Sequence, residues 1–234
     1  MNSKDSVTKE KQNKKKKKRR NPFRFFIYDF IKVTGALSAW LWLRPKRLFE
    51  SKAAKKHVKG GAVAIANHTN VRDPIALHFA FWYRRINIIA LQEMFNSKAG
   101  GWFFRRLLCI PVNRDNLNMQ TFRAALDVLE DGRVLGIFPE GHINTEVNTV
   151  QSFKSGAALM AFKANVPIIP VFIAPFTKWY KRTVTVIGEP INPADFCEGM
   201  PSVRDLDRLS AKLREKELLL MEIYNEWKKK KSSK

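Results

Sequence analysis

The sequence predicts an α/β fold: a single domain with a central mixed, largely parallel sheet flanked by helices, preceded by an amphipathic helix. Three observations support this prediction. From Gly60 onward, short apolar runs alternate with helical stretches, which is typical of α/β domains. The chain has 234 residues and is 45% hydrophobic, which is enough for one domain with a packed core. A segment rich in Phe and Trp precedes the alternation and has a helical period of its own.

Positive charge is concentrated at the two ends of the chain. The net charge is +22 at pH 7, and residues 1–21 hold ten Lys and Arg against Asp5 and Glu10. Residues 228–234 hold five lysines. We expect 1–21 to be a disordered basic arm, because it is low in complexity and repels itself, and 228–234 to be a basic tail. Such charge suits either an anionic membrane surface or a nucleic acid.

Residues 22–45 are predicted to form an amphipathic helix that lies in a membrane interface. Asp29 and Lys32 would each cost about 2.5–3.5 kcal/mol at the centre of a bilayer, which disfavours a transmembrane span. A basic arm beside an apolar stripe supplies the two signals that peripheral membrane binding needs. The alternative is a helix of the globular core. The predicted stripe consists of Phe26, Phe30, Val33, Leu37 and Leu41, with Trp40 beside it.

The cysteine pattern indicates the cellular compartment. Cys109 and Cys197 have no CxxC spacing and no surrounding cluster of ligand residues. The chain is therefore expected to be a reduced protein that faces the cytosol, without disulfides or structural zinc. With the interfacial helix, this predicts a peripheral or monotopic protein on the cytoplasmic face of the cell membrane.

The α/β domain is predicted to span residues 46–227. Continuous apolar runs predict buried strands, and a 3.6-residue period predicts the helices. An Asp-Pro pair marks the start of the first helix of the domain, and Gly132 closes the second. In chain order the elements are a strand at 62–66, a helix at 74–85, strands at 86–91 and 107–113, a helix at 119–132, a strand at 134–139, a helix at 154–165, strands at 167–174 and 182–188, and an amphipathic helix at 203–227.

Three polar clusters follow predicted strands, at the point where each strand ends. In α/β folds, functional sites gather at the carboxyl ends of parallel strands. The clusters therefore predict one site at this edge of the sheet. They are Asn67-His68 with Asp73, Asn113-Arg114, and Glu140-Gly141-His142.

His68 and Asp73 allow two interpretations. Asp before Pro is a helix-start signal, which would make Asp73 the N-cap and Pro74 the first helical residue. Alternatively, a turn between strand and helix brings Asp73 to His68. The carboxylate could then hold one imidazole nitrogen and leave the other as a base, for which a pKa of ~6.5 is suitable.

Four ordered blocks favour the second interpretation. They are "NHTNVRD", "IPVNRDN", "FPEGH" and "FKSGA", followed by the strand "VPIIPV". From about Gly60 to Pro190 the chain resembles the glycerolipid acyltransferase family, typified by 1-acylglycerol-3-phosphate acyltransferase. The resemblance implies transfer of a fatty acyl group from an acyl thioester to the free hydroxyl of a lysophosphatidate-like acceptor. The donor would be acyl-CoA or acyl carrier protein, and no bound cofactor or metal is implied.

The resemblance also implies roles for individual residues. His68 would be the general base on the acceptor hydroxyl, and Asp73 would orient it in the His-x4-Asp motif. The implied substrate-binding residues are Arg114 for the acceptor phosphate, Glu140 for its glycerol portion and Lys154 in the "FK" turn. Gly141, in a tight turn after the strand, would let substrate approach the backbone.

Two departures from the family pattern leave the acceptor open. His142 and Ile143 stand where members usually have Thr and Arg, and Leu91 stands where many have Lys. Both changes remove an expected phosphate contact. An acyltransferase for another lysolipid or an amino-lipid is therefore an alternative. A nucleic-acid-binding protein is a further alternative, although the charge that supports it is concentrated in the tails.

Overall fold

The structure, a computed structural model, describes residues 25–113, 118–146, 149–176, 181–196 and 199–233. The predicted basic arm 1–21 lies outside these residues, as do Arg114 and Cys197. Contacts divide the chain into two compact units, residues 1–36 and 37–234.

Seven strands in the described residues form one sheet, in the order β1-β7-β6-β2-β5-β3-β4. The single antiparallel pair among them is β6 with β7, and the other neighbours are parallel. The predicted mixed, largely parallel sheet is confirmed. The strands are β1 Lys46–Phe49, β2 Ala62–Ala66, β3 Ile86–Leu91, β4 Ile110–Val112, β5 Val134–Ile137, β6 Ile168–Ile173 and β7 Val184–Ile187.

The described residues also form six α-helices. Two short 3₁₀ helices, Gln92–Phe95 and Pro193–Phe196, lie in connections. The α-helices are α1 Phe26–Leu43, α2 Asp73–Ala80, α3 Lys98–Arg106, α4 Met119–Glu130, α5 Gly156–Ala164 and α6 Val203–Ser232.

Helices cover both faces of the sheet, because alternate side chains of each buried strand point to opposite sides. In β2, Val63 and Ile65 pack with residues of α4, α5 and α6. Ala62, Ala64 and Ala66 face the other side and pack with α2. The apolar strands therefore have a fully buried centre, as their continuous hydrophobic runs predicted.

Several predicted elements differ in length from those observed. The helix predicted at 74–85 ends at Ala80, and the strand predicted at 107–113 covers only Ile110–Val112. The last helix continues past 227 to Ser232, so part of the predicted basic tail is helical. Strand β1 and helix α3 were not predicted.

Helix α1 crosses the boundary between the two units. In the first unit Phe26, Phe30 and Val33 are exposed, and the two Phe rings stack at 6.4 Å. In the second unit Leu37, Trp40 and Leu41 are exposed, whereas Leu43 is fully buried. Within the second unit, Leu37, Trp40 and Leu41 are therefore not part of the buried core. Not one of the described helices combines the length and the apolarity that crossing a membrane requires.

Candidate active site

The candidate site lies where β2, β5 and β6 end. Asn67 follows β2 directly, and its buried amide bonds to the main chain of Ile173 in β6, accepting at 2.7 Å and donating at 3.0 Å. This side chain extends the strand pairing by one step beyond the last residue of β2. The peptide that carries His68 is thereby attached to the rigid sheet.

His68 and Asp73 form a hydrogen-bonded pair. The distance between His68 Nδ1 and Asp73 Oδ2 is 3.1 Å. The same carboxylate oxygen accepts the backbone N–H groups of Thr69 at 2.6 Å and Asn70 at 2.7 Å. Because a carboxylate only accepts hydrogen bonds, this contact places a ring hydrogen on Nδ1, and in the neutral imidazole Nε2 then has the lone pair.

The expectation that Asp73 is the N-cap of the first domain helix is wrong. Helix α2 begins at Asp73 itself, and Arg72 is the N-cap residue, with no side-chain capping bond. The Asp73 carboxylate instead turns back to the preceding loop, where it satisfies two main-chain donors and the imidazole. The carboxylate therefore determines the loop shape and the ring orientation together.

The His68 ring is held from several sides. It stacks on Phe138, with centroids 4.3 Å apart and an interplanar angle of 26°. The main-chain N–H of His68 donates to Glu140 Oε1 at 3.1 Å, and its carbonyl accepts from the N–H of Asn144 at 2.6 Å. The side chain keeps 18% of its surface exposed, so a substrate can reach it from solvent.

Glu140 belongs to the support of the histidine. Its side chain is buried, and Oε2 accepts from the main-chain N–H of Gln151 at 3.4 Å while Oε1 binds the His68 N–H. Burial raises the pKa of Glu140, and the main-chain bonds from His68 and Gln151 oppose that rise. The carboxylate thus connects the segments that follow β2 and β5.

Gly141 has a packing reason to be glycine. Its φ of +76° lies in the left-handed region, which residues other than glycine rarely adopt. A Cβ atom there would lie 3.2 Å from Lys154 Cε and 3.3 Å from Lys154 Nζ. The absence of a side chain therefore lets Lys154 cross this turn next to Glu140.

The structure brings together five of the six residues predicted for the site: His68, Asp73, Glu140, Gly141 and Lys154. The sixth, Arg114, lies outside the described residues. Ile143 is 40% exposed, and His142 Nε2 contacts Gln151 Oε1 at 2.9 Å. The described segments contain no group of three or more His, Cys, Asp or Glu residues that could hold a metal ion.

Sequence analysis missed residues that hold the site together. Asn144 is buried, binds the His68 carbonyl through its N–H, and accepts the N–H of Glu146 at 2.9 Å through Oδ1. Its position shortly after "FPEGH" was the available signal, because Asn commonly bonds to the backbone of its own loop.

Glu217 on α6 is a further buried acid near the site. It is fully buried, and neither carboxyl oxygen has a hydrogen-bond partner among the described residues. Burial raises the pKa of Glu217 well above its usual range, and the nearby negative charge of Glu140 raises it further. Burial without a hydrogen-bond partner thus favours the protonated form of Glu217, because an isolated carboxylate in the core is costly.

Glu217→Gln is expected to stabilise the protein increasingly as the pH rises. The folded protein keeps the Glu217 proton, whereas the unfolded chain releases it above the ordinary pKa of 4.5. Stability thus falls with pH above that value, by up to about 1.4 kcal/mol per pH unit, until the folded pKa is reached. Urea denaturation between about pH 5 and pH 8 measures the difference, with exposed Glu222→Gln on the same helix as the control. Parallel pH profiles for wild type and Glu217→Gln would contradict this prediction.

A comparison with known protein families assigns the chain to one of them. A profile described as acyltransferase matches residues 47–174, which include β2 to β6 and the His68–Asp73 pair. The chain belongs to the acyltransferase family. The resemblance seen in the four sequence blocks is thereby confirmed.

Curated acyltransferases are similar over much of the chain. The 1-acyl-sn-glycerol-3-phosphate acyltransferase of Bacillus subtilis is 27% identical over 161 residues, which cover 67% of this chain and 79% of that protein. The enzyme of the same name from Streptococcus pneumoniae is 30% identical over 139 residues, which cover 57% of this chain and 51% of that protein. The match thus spans about half the length of the streptococcal relative.

A solved acyltransferase structure has the same fold. The 1-acyl-sn-glycerophosphate acyltransferase of Thermotoga maritima superposes with a TM-score of 0.60 at 23% identity, covering 88% of this chain and 83% of that chain. The acyltransferase fold therefore extends over nearly all of the present chain.

Proposed function

We propose that this acyltransferase moves a fatty acyl group from an acyl thioester to the free hydroxyl of a lysophosphatidate-like acceptor, as a step of phospholipid synthesis. The main support is the His68–Asp73 pair, which lies within the family match and leaves Nε2 of the neutral imidazole free to act as a base. The names of the curated relatives support the acceptor class.

The reaction needs one proton transfer and one acyl transfer. His68 Nε2 takes the proton of the acceptor hydroxyl as its oxygen attacks the thioester carbonyl. The carbon–sulfur bond then breaks, and the leaving thiolate receives the proton from the imidazolium. Asp73 holds Nδ1–H and stabilises the positive charge that the ring carries between the two steps. No covalent acyl-enzyme is required.

The supporting residues divide into two groups. Glu140 positions His68 through its main-chain N–H, in addition to the contact with the glycerol portion that the family resemblance implies. Arg114 and Lys154 are proposed to meet the acceptor phosphate, because a guanidinium fork and an ammonium group both suit phosphate oxygens. Gly141 admits Lys154 to this region.

An acceptor panel tests the proposed function. Detergent-solubilised protein is given acyl-CoA or acyl carrier protein thioester, together with lysophosphatidate, other lysolipids or an amino-lipid. We expect the highest kcat/KM with lysophosphatidate. A preference for an acceptor without a phosphomonoester would transfer the assignment to the alternative acceptor class, which exposed Ile143 favours. Absence of acyl transfer to every acceptor would contradict the proposal.

We also propose that the protein binds the cytoplasmic face of the cell membrane as a peripheral or monotopic protein. The basic arm 1–21 and tail 228–234 attract anionic lipid, and an interfacial helix at 22–45 inserts its apolar residues ahead of the domain 46–227. Exposed Leu37, Trp40 and Leu41 support this arrangement. Each basic residue near an anionic surface contributes about 1 kcal/mol at physiological ionic strength.

Replacing Leu37, Trp40 and Leu41 together with Ser is expected to lower vesicle binding at least ~10-fold, because less apolar surface leaves water on binding. Cosedimentation with vesicles containing phosphatidylglycerol measures the loss. Ser at exposed Val203 and Leu219 of α6 is the control. Raising the salt concentration should weaken wild-type binding, since salt screens the basic ends. Unchanged binding of the triple variant would contradict the role of α1.

A further inference from the structure

The loop between β2 and α2 carries two buried polar atoms without a partner among the described residues. Thr69 Oγ1 and Arg72 Nη1 are both buried, and neither has a hydrogen-bond partner within the described ranges. Buried polar groups are nearly always paired in folded proteins. Two such atoms in the loop that positions His68 are able to form hydrogen bonds with a polar group of a bound ligand.

Arg72 is held by aromatic rings. Its guanidinium carbon lies over the ring of Trp42, 4.1 Å from the centroid, and over the ring of Phe176, 4.0 Å from that centroid. Aromatic faces attract a cation without using its N–H groups. Neighbouring Asp73 directs its Oδ2 to Thr69, Asn70 and His68 instead. The described residues thus hold Arg72 in place but form no ion pair with it.

The position of Arg72 connects the two functional parts of the protein. It directly precedes Asp73, the residue that holds His68 Nδ1. Trp42 lies in the last turn of α1, shortly after exposed Trp40 and Leu41. A lipid entering from a bilayer on the exposed end of α1 would therefore meet Arg72 close to the catalytic loop.

We propose, on the basis of the proposed function, that Arg72 binds a lipid phosphate and that this phosphate belongs to the acceptor. A phosphomonoester carries close to two negative charges near pH 7, so it needs more than one cation. The N–H groups of Arg72 supply positive charge and a planar fork that matches phosphate oxygens.

Steady-state kinetics in neutral detergent tests this proposal. Arg72→Gln should raise the KM for lysophosphatidate ~10–100-fold, the range expected for a lost charged hydrogen bond, and leave kcat nearly unchanged. The KM for monoacylglycerol, which has no phosphate, should stay the same, as should the KM for the acyl donor. Arg72→Lys should have a smaller effect because it keeps the charge. Arg204→Gln, on the exposed start of α6, is the matched control.

A binding measurement separates this proposal from the proposed function. In a His68→Ala background, calorimetric titration with lysophosphatidate should show weaker binding after Arg72→Gln by the same factor, whether or not acyl transfer occurs. Acyl transfer to lysophosphatidate with unchanged KM and binding in Arg72→Gln would overturn the role of Arg72 and leave the proposed function standing.

Two other outcomes would also overturn it. Loss of binding to phosphatidylglycerol vesicles, with an unchanged KM for lysophosphatidate, would assign Arg72 to bilayer headgroups instead of the acceptor. A lower kcat for both acceptors with unchanged KM would show that Arg72 only supports the Asp73 loop. Thermal denaturation of each variant confirms that the compared proteins are folded.

Discussion

His68→Ala is expected to lower the rate of acyl transfer by about 10²–10⁴-fold, the contribution of a general base. Alanine removes Nε2, the atom proposed to take the acceptor proton. It keeps the main-chain bonds of residue 68 to Glu140 and Asn144, so the folded state should persist. Single-turnover assays with acyl thioester and lysophosphatidate measure the chemical step.

His57→Ala provides the matched control for this experiment. His57 stacks on Tyr83 at 3.9 Å and precedes β2, whereas His68 follows it, so the two histidines lie at opposite ends of the same strand. Its removal should leave the rate unchanged. If His68→Ala kept the wild-type rate with normal thermal stability, the proposed mechanism would be wrong.

Asp73→Asn should lower the rate by on the order of 10²–10³-fold, toward the lower part of the general-base range. The neutral amide cannot stabilise the imidazolium. If its NH₂ group turns toward the loop, it also opposes the N–H donors of Thr69 and Asn70. Because Asp73 is not the N-cap of α2, the substitution tests the carboxylate without removing a helix cap.

Rate and stability must be measured together for Asp73→Asn. Exposed Asp127→Asn on α4 is the control, and it should change neither quantity. A variant that lost stability but kept its single-turnover rate would show that Asp73 only organises the loop. A rate loss larger than any loss of stability supports the pairing with His68.

Elements with strong local signals were predicted well. Strands β2 and β3 have their predicted bounds, because β2 is an uninterrupted apolar run and Asn87 is the one polar residue in β3. Helix α3 was missed because Gly100 and Gly101 lower its helix propensity. Packing explains these glycines, since a Cβ on Gly101 would lie 2.6 Å from the carbonyl oxygen of Phe95. Such contacts leave no trace in a local pattern.

The candidate site was predicted in part for the same reason. The blocks identified His68 and Asp73, but only the folded loop determines which way the Asp73 carboxylate points. The contact of Glu140 with the His68 main chain joins residues 72 positions apart. Glu217 reaches this region from the last helix, and its sequence context is that of an ordinary charged residue on an amphipathic helix. The catalytic and binding roles assigned to the six predicted site residues stay predictions.

The pairing of β1 with β7 affects how the protein folds during its synthesis. Lys46, three residues after α1, pairs with Val184, and Ser51 next to β1 bonds to Glu189, 138 positions later. At about 5–20 residues per second, a ribosome needs roughly 7–30 s to make the intervening chain. During that interval β1 has no strand partner, while α1 has already been synthesised. The apolar residues of α1 are thus available to the translating cell's membranes and chaperones well before the sheet can close.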